Sequence, residues 1–144
     1  MTDINKLWYQ AFQEVESECK DSRRRISMSY DIAIVDEEDT VLRGSKVHKI
    51  AGGTYEMGGS YQAWLNITYN YSQFYYQIWP EGLIDKFNGM NSKDAIAYLL
   101  GAIKILGTKT TQDYWEATPG NAGKALQDLV KLIQLFPEGK LRIT

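Results

Sequence analysis

Residues 61–79, Tyr-Gln-Ala-Trp-Leu-Asn-Ile-Thr-Tyr-Asn-Tyr-Ser-Gln-Phe-Tyr-Tyr-Gln-Ile-Trp, carry two side-chain periods in one stretch. Odd positions from 61 to 71 read Tyr, Ala, Leu, Ile, Tyr, Tyr, while even positions from 62 to 70 read Gln, Trp, Asn, Thr, Asn. Period-2 alternation predicts a β-strand with one apolar face and one face of amides and hydroxyls. From Ser72 the apolar positions become Phe74, Tyr75, Ile78 and Trp79, the spacing of a short amphipathic helix. A chain that must pass from strand to helix here needs a sheet on one side of the junction and a helical layer on the other.

The flanking segments supply both. Ile4, Leu7, Trp8, Ala11, Phe12, Val15 and Cys19 form a helical stripe. Arg23, Arg24 and Arg25 follow it, where cations offset the helix dipole. Ile26, Met28, Tyr30, Ile32 and Ile34 alternate with Ser27, Ser29, Asp31, Ala33 and Val35, predicting a half-buried strand. Asp36-Glu37-Glu38-Asp39-Thr40 reads as a solvated hairpin tip, and Val41 to Ile50 returns as a more polar strand. Thr54 to Met57 fits a short strand between Gly-Gly turns, so the strands read as an antiparallel meander. After Pro80 and a link over 83–90, Ser92 is placed to cap a helix that ends at Gly107. Gly120 or Asn121 opens the last helix, Pro137 and Gly139 stop it, and 140–144 alternates like a short edge strand. The expected fold is α+β over a single domain, 1–144. It has an N-terminal helix, an antiparallel sheet of three to five strands, two to four helices packed on one face, and a short C-terminal strand.

Several chemistries fail on inventory. One cysteine and one histidine cannot assemble a His/Cys zinc site within the chain, and a lone cysteine suits a reducing cytosol. His48, between Lys46 and Lys49, reads as a surface residue with no nucleophile elbow to serve. The Gly107-Thr108-Lys109-Thr110 run lacks the spacing of a phosphate loop. A net charge of −2 argues against a basic nucleic-acid binder. No apolar run approaches a membrane span, and Asp3 interrupts any secretory leader, so a cytoplasmic setting is expected, with no cofactor and no metal. Asp31, Asp85 and Asp113 lie outside obvious solvent-facing runs, but nothing in the sequence pairs them for acid–base work.

The uncharged face of the 61–71 strand is what remains. Gln62, Asn66, Thr68 and Asn70 share it with Trp64, and Ser72 follows at the junction. Amides and hydroxyls both donate and accept, and an indole wall beside them suits recognition of a neutral polar group. The plainer alternative is a solvated strand face, with Asn70 or Ser72 capping the helix.

Asn66-Ile-Thr-Tyr-Asn-Tyr-Ser72 with Phe-Tyr-Tyr at 74–76 resembles a string found in a family of small phage and prophage proteins. Tyr114-Trp115-x-Ala117-Thr118-x-Gly120-Asn121-Ala122, followed by Ala125-Leu126, resembles a second string of the same family, and Gly89 matches a glycine turn before its first C-terminal helix. The likeness covers roughly 66–136. It implies a phage or prophage setting and, from that context, antagonism of a host factor or defence system; the family has no assigned activity.

The leading expectation is a non-enzymatic binding protein of the bacterial cytosol. It would hold a host protein or a small polar ligand through Trp64, Asn66, Thr68, Asn70 and Ser72, completed by Tyr114, Trp115 and Asn121. One alternative is a nucleotide-type ligand sponge with Arg23–Arg25 neutralising phosphate. A lesser one is a metal-independent enzyme. Ten tyrosines and an edge strand at 140–143 leave room for a homo-oligomer.

Overall fold

The computed structural model describes residues 29–50, 59–113 and 115–144. The expected helix over 4–19 with Cys19, the Arg23–Arg25 cluster and the strand at Thr54–Met57 lie outside them. Along the chain run β1 (Ser29–Val35), β2 (Arg43–His48), β3 (Ser60–Gln62) and β4 (Trp64–Thr68), then a 3₁₀ turn (Tyr69–Tyr71). After the turn come α1 (Ser72–Ile78), α2 (Gly82–Phe87), α3 (Ser92–Leu106), α4 (Pro119–Leu135) and β5 (Lys140–Ile143). The architecture is α+β with antiparallel pairing and a short C-terminal edge strand, as the patterning predicts.

The strand order departs from a meander. β1 is the middle of a three-stranded sheet, β4-β1-β5, while β2 and β3 pair with each other in a separate ribbon. The hairpin after β1 opens almost at once: only Val35 bridges Val41, and Leu42 N–H donates to Ile34 O at 2.9 Å. β4 occupies the edge of β1 along which β2 would otherwise have continued: the Ile34 carbonyl accepts from Leu42 on the side where the Ile34 N–H donates to Ala63 O. Its Leu65 and Ile67 are fully buried, whereas most of β2 is solvent-exposed, so apolar burial favours β4 there.

The expected strand over 61–71 is also divided. At Ala63 the chain changes partners, its N–H donating to Leu42 O at 2.9 Å and its carbonyl accepting from Ile34 N–H at 2.8 Å. At Thr68 the strand ends, because the Thr68 hydroxyl accepts the Asn70 N–H at 3.2 Å and starts the 3₁₀ turn. The odd positions Ala63, Leu65, Ile67 and Tyr71 reach the core as expected, but Tyr61 is exposed, with the Arg43 guanidinium 5.4 Å above its ring.

Register builds the core. Ile32 stands between Leu65 and Ile143, Tyr30 opposite Ile67, and Ile34 opposite Leu141, so one sheet face is a continuous apolar surface. α4 meets it with Ala122, Ala125, Leu126, Leu129, Leu132 and Ile133, a stripe of i, i+3/i+4 spacing. α3 lies along α4 and buries Ala95, Leu99 and Ala102. Tyr75, Trp79 and Phe87 carry the same cluster out under α1 and α2, with Trp79 and Phe87 edge to face at 4.7 Å. His48 belongs inside too, contrary to the surface position that its Lys-rich neighbours suggest. It is buried against Phe136, its Nδ1 accepts from Ile50 N–H at 3.3 Å, and its Nε2 lies 2.6 Å from Gln62 O.

The helix starts fall elsewhere than the sequence suggests. Thr118 caps α4 and Pro119 is its first residue, so the helix begins ahead of Asn121. Asn91 precedes α3, and Ser92 is its first residue, fully buried, its hydroxyl without a hydrogen-bond partner. Gly107 ends α3 at φ 77, as expected. The 107–109 backbone then lies directly on α4: a Cβ at Gly123 would collide with the Gly107 carbonyl, and one at Gly120 with the Lys109 carbonyl.

Replacing a helical glycine by alanine usually gains about 1 kcal/mol in propensity. At Gly123 the obstacle is a backbone carbonyl, which cannot step aside, and overpacking of this kind costs about 1–3 kcal/mol. Gly123→Ala is therefore expected to lower stability by about 1 kcal/mol net in urea denaturation, where an unobstructed helical site would gain. Ser92→Ala should raise it by about 1 kcal/mol, because it removes an unsatisfied buried hydroxyl.

Candidate functional site

The polar residues singled out in the sequence fall into two groups. Those at the junction itself are used inside the molecule. Ser72 is 2% exposed, and its Oγ lies 2.7 Å from the Tyr30 hydroxyl. Thr68 is buried and holds the 3₁₀ turn; neither Asn70 nor Ser72 is the N-cap of α1, which is Tyr71 and makes no side-chain capping bond to the helix. Asn121 is buried at the start of α4 and fastens the preceding loop. Its Nδ2 donates to Thr111 Oγ1 at 2.9 Å, Asp113 O at 3.2 Å and Glu116 O at 3.1 Å, and its Oδ1 accepts from Thr111 N–H at 3.0 Å.

The fold does bring the two separated strings together. Asn70 Nδ2 donates to Trp115 O at 2.8 Å, and the Tyr75 hydroxyl donates to Ala122 O at 2.9 Å. Trp115 keeps its ring half exposed beside that contact, and Tyr114 lies outside the described residues.

Burial governs the tyrosines at this junction. Desolvation, only partly opposed by the Ser72 hydrogen bond, pushes Tyr30 up from 10.0 to about 12. Tyr75 is raised well above the ordinary value for the same reason, desolvation first. Both rings are therefore neutral hydrogen-bonding groups in the folded chain and suited to holding the junction.

The second group lies on the sheet face turned away from the core. Here the even positions of β4 meet odd positions of β1 and even positions of β5. Trp64, Ala33 and Arg142 form one row, and Asn66 and Asp31 begin the next, which Thr144 completes through paired 3.0 Å backbone bonds with Asp31. Asn66 is buried and its Nδ2 donates to Asp31 Oδ1. Between these rows is a cleft of about 190 Å³ lined by Asp31, Ile32, Ala33, Val41, Gln62, Trp64, Arg142 and Thr144. Ala33 keeps the middle of the row low, and the long side chains on either side make the walls. Arg142 is held from outside: its Nη1 donates to Asp39 O at 3.0 Å and lies 3.2 Å from Asp39 Oδ2. The acidic tip is the exposed turn that was expected, and its Asp39 pairs with Arg142. The Asp39 φ of 64 and the two backbone N–H groups accepted by Asp36 Oδ1 shape the turn that carries it.

Of the expected set the cleft keeps Trp64, with Asn66 bonded to its Asp31, and it adds Asp31, Arg142 and Thr144. Asp31 was visible in the sequence as a lone carboxylate in an apolar strand. Arg142 carried no signal, since its place beside Ala33 follows from a pairing between residues more than a hundred positions apart. The cleft offers a flat indole, an exposed carboxylate braced by an amide, and a guanidinium already paired. Among the described residues no group of three or more His, Cys, Asp or Glu is placed to hold a metal ion, and no helix is long and apolar enough to cross a membrane.

A phenol whose folded pKa is raised is favoured while neutral, so its contribution is complete below about pH 10 and is lost as pH rises to about 12. A rise of about two units is worth roughly 3 kcal/mol for Tyr30, and Tyr75 adds in the same direction. Urea denaturation at a series of pH values should show stability level to about pH 10 and falling steeply above it, with the fall shallower in Tyr30→Phe. No protein-family model, curated protein or solved structure matches the chain.

Proposed function

We propose that this protein is a non-catalytic binding protein whose ligand is a protein partner, held on the outer sheet face at the Trp64–Ala33–Arg142 cleft. The size of the cleft carries the choice. Small-molecule sites commonly occupy about 300–1,000 Å³. At about 190 Å³, this one takes a single side chain rather than a nucleotide. Its chemistry favours a cationic side chain, arginine or lysine. The stem or guanidinium plane lies on the Trp64 indole, and the charged tip reaches the exposed Asp31 carboxylate. The positive charge of Arg142 is opposed by Asp39 and does not repel such a visitor strongly.

The two-string resemblance supplies the setting: a phage or prophage protein acting in a bacterial cell, whose partner is a host protein, components of defence systems being the first to examine. Support for that setting is the resemblance alone. The residues that carry it are mostly used in holding the junction together, so they do not identify the partner.

Affinity capture from bacterial lysate, run in parallel with the wild-type chain, Trp64→Ala and Asp31→Asn, tests the proposal. One host protein retained by the wild type and reduced at least about tenfold by each variant is expected, with melting temperatures within a few degrees. The reading fails if the captured protein is indifferent to both changes, or if native mass spectrometry finds a small molecule retained in the cleft instead.

A further inference from the structure

Arg142 lines the cleft with the same chemistry that the cleft is proposed to receive. On the outer sheet face Trp64 and Arg142 flank Ala33, so their Cα atoms stand two strand spacings apart, about 10 Å. Ala33 puts only a methyl group between them, and the long side chain of an arginine can lean across it. Turned that way, the Arg142 guanidinium would lie on the Trp64 indole and reach the Asp31 carboxylate, which stands two residues from Ala33 on the same face of β1. Asp31 already accepts from Asn66 Nδ2, and a carboxylate has sites left for further donors. The protein's own side chain would then occupy a cleft of about 190 Å³.

Asp39 draws Arg142 the other way. Arg142 Nη1 donates to the Asp39 carbonyl at 3.0 Å and lies 3.2 Å from Asp39 Oδ2, and Asp39 itself does not line the cleft. The turn that presents Asp39 is held by its own bonds. Asp36 Oδ1 accepts from the Glu38 and Thr40 N–H groups, and the Asp36 N–H donates to the Thr40 carbonyl at 2.9 Å. The ion pair is open to solvent, with side chains 38% exposed for Arg142 and 65% for Asp39, and so exposed a pair contributes little. Stacking on an indole and pairing with a second exposed carboxylate are worth about as much. Two positions of such similar worth make a bistable side chain, and one charge decides between them.

We infer that Asp39 is a positioning residue of the cleft. By pairing with Arg142 it keeps that side chain off the Trp64 indole; without it, Arg142 folds over Ala33 and closes the cleft against a cationic visitor. The consequence for binding rests on the reading of the cleft given above, whereas the movement of Arg142 does not.

NMR of the full chain with labelled arginine side chains reads that movement with nothing bound. Asp39→Asn removes the charge and keeps a residue type that tolerates a φ of 64. Only in the inward position do the Arg142 δ-methylene protons lie over an indole face. Their resonances should therefore move upfield in Asp39→Asn, and the shift should vanish when Trp64→Ala is added. Titration with N-acetyl-arginine amide, followed at the Asp31 and Ala33 amides, should show about tenfold weaker binding in Asp39→Asn, as expected if the open cleft falls to a tenth of the population. Adding Arg142→Gln should recover at least the wild-type affinity. Arg142 resonances that stay in place in Asp39→Asn would overturn the inference. So would a shift that persists without the indole, as when Arg142 passes to Glu37 or Glu38 of the same tip. An upfield shift that needs Trp64, in a chain whose wild type ignores the probe, would uphold the positioning role and fault only the reading of the cleft as a cation site.

Discussion

Strand β1 is hydrogen-bonded along both edges, and almost every other feature depends on that. Its partners lie on either side of the helical half in sequence, β4 before it and β5 after it. Closing so long a loop costs entropy that grows only slowly with length. The apolar row Leu65–Ile32–Ile143 and its neighbours offset that cost, because each fully buried Leu or Ile contributes about 2 kcal/mol. Register is set by the same row. Slipping either partner by one residue would turn Asn66 or Arg142 inward and Leu65 or Leu141 outward, so the pairing is strongly specified. The outer face is the consequence: once Ile32 is fixed inside, Asp31 and Ala33 must lie outside, and Trp64 and Arg142 must flank Ala33.

Polar groups do a different job at the other end of the sheet. Where β4 gives way to the 3₁₀ turn and α1, the core closes over hydroxyls and amides, and each finds a partner inside the molecule. Tyr30 meets Ser72, Tyr75 meets the Ala122 carbonyl, and Asn121 gathers the 111–116 loop. Unpartnered, such groups would each cost about 1–3 kcal/mol. Partnered, they fix the angle between sheet and helices more sharply than apolar packing alone. The two strings far apart in sequence share this one structural junction, Asn70 bonding to the Trp115 carbonyl. Their co-occurrence therefore has a mechanical reason, independent of any site.

Surface chemistry is thus divided between two faces. The outer sheet face carries a small cleft with an indole, a carboxylate and a braced guanidinium, and the outer face of α3 leaves Tyr98, Leu100 and Ile105 exposed. The role proposed for the cleft is recognition of a single inserted side chain, and its size and its indole and carboxylate are what support that proposal.

Local periodicity was enough to place most elements. The alternation through Leu65 and Ile67, the helical stripe from Ala122 to Ile133 and the glycine stop at Gly107 all arise from side-chain period and backbone preference, which act within a few residues. The same local rules gave the amide face of β4, with Trp64 and Asn66 on it. They did not give the division of that strand at Ala63 or the burial of His48, because each turns on a partner elsewhere: the Leu42 carbonyl, and the Gln62 carbonyl with Phe136. The cleft shows the boundary most clearly. The sequence alone determined that Trp64, Asn66, Asp31 and Arg142 each occupy one parity of a strand. Only the tertiary structure set those strands side by side, since strand order and register follow from burying the opposite, apolar parity of all three at once.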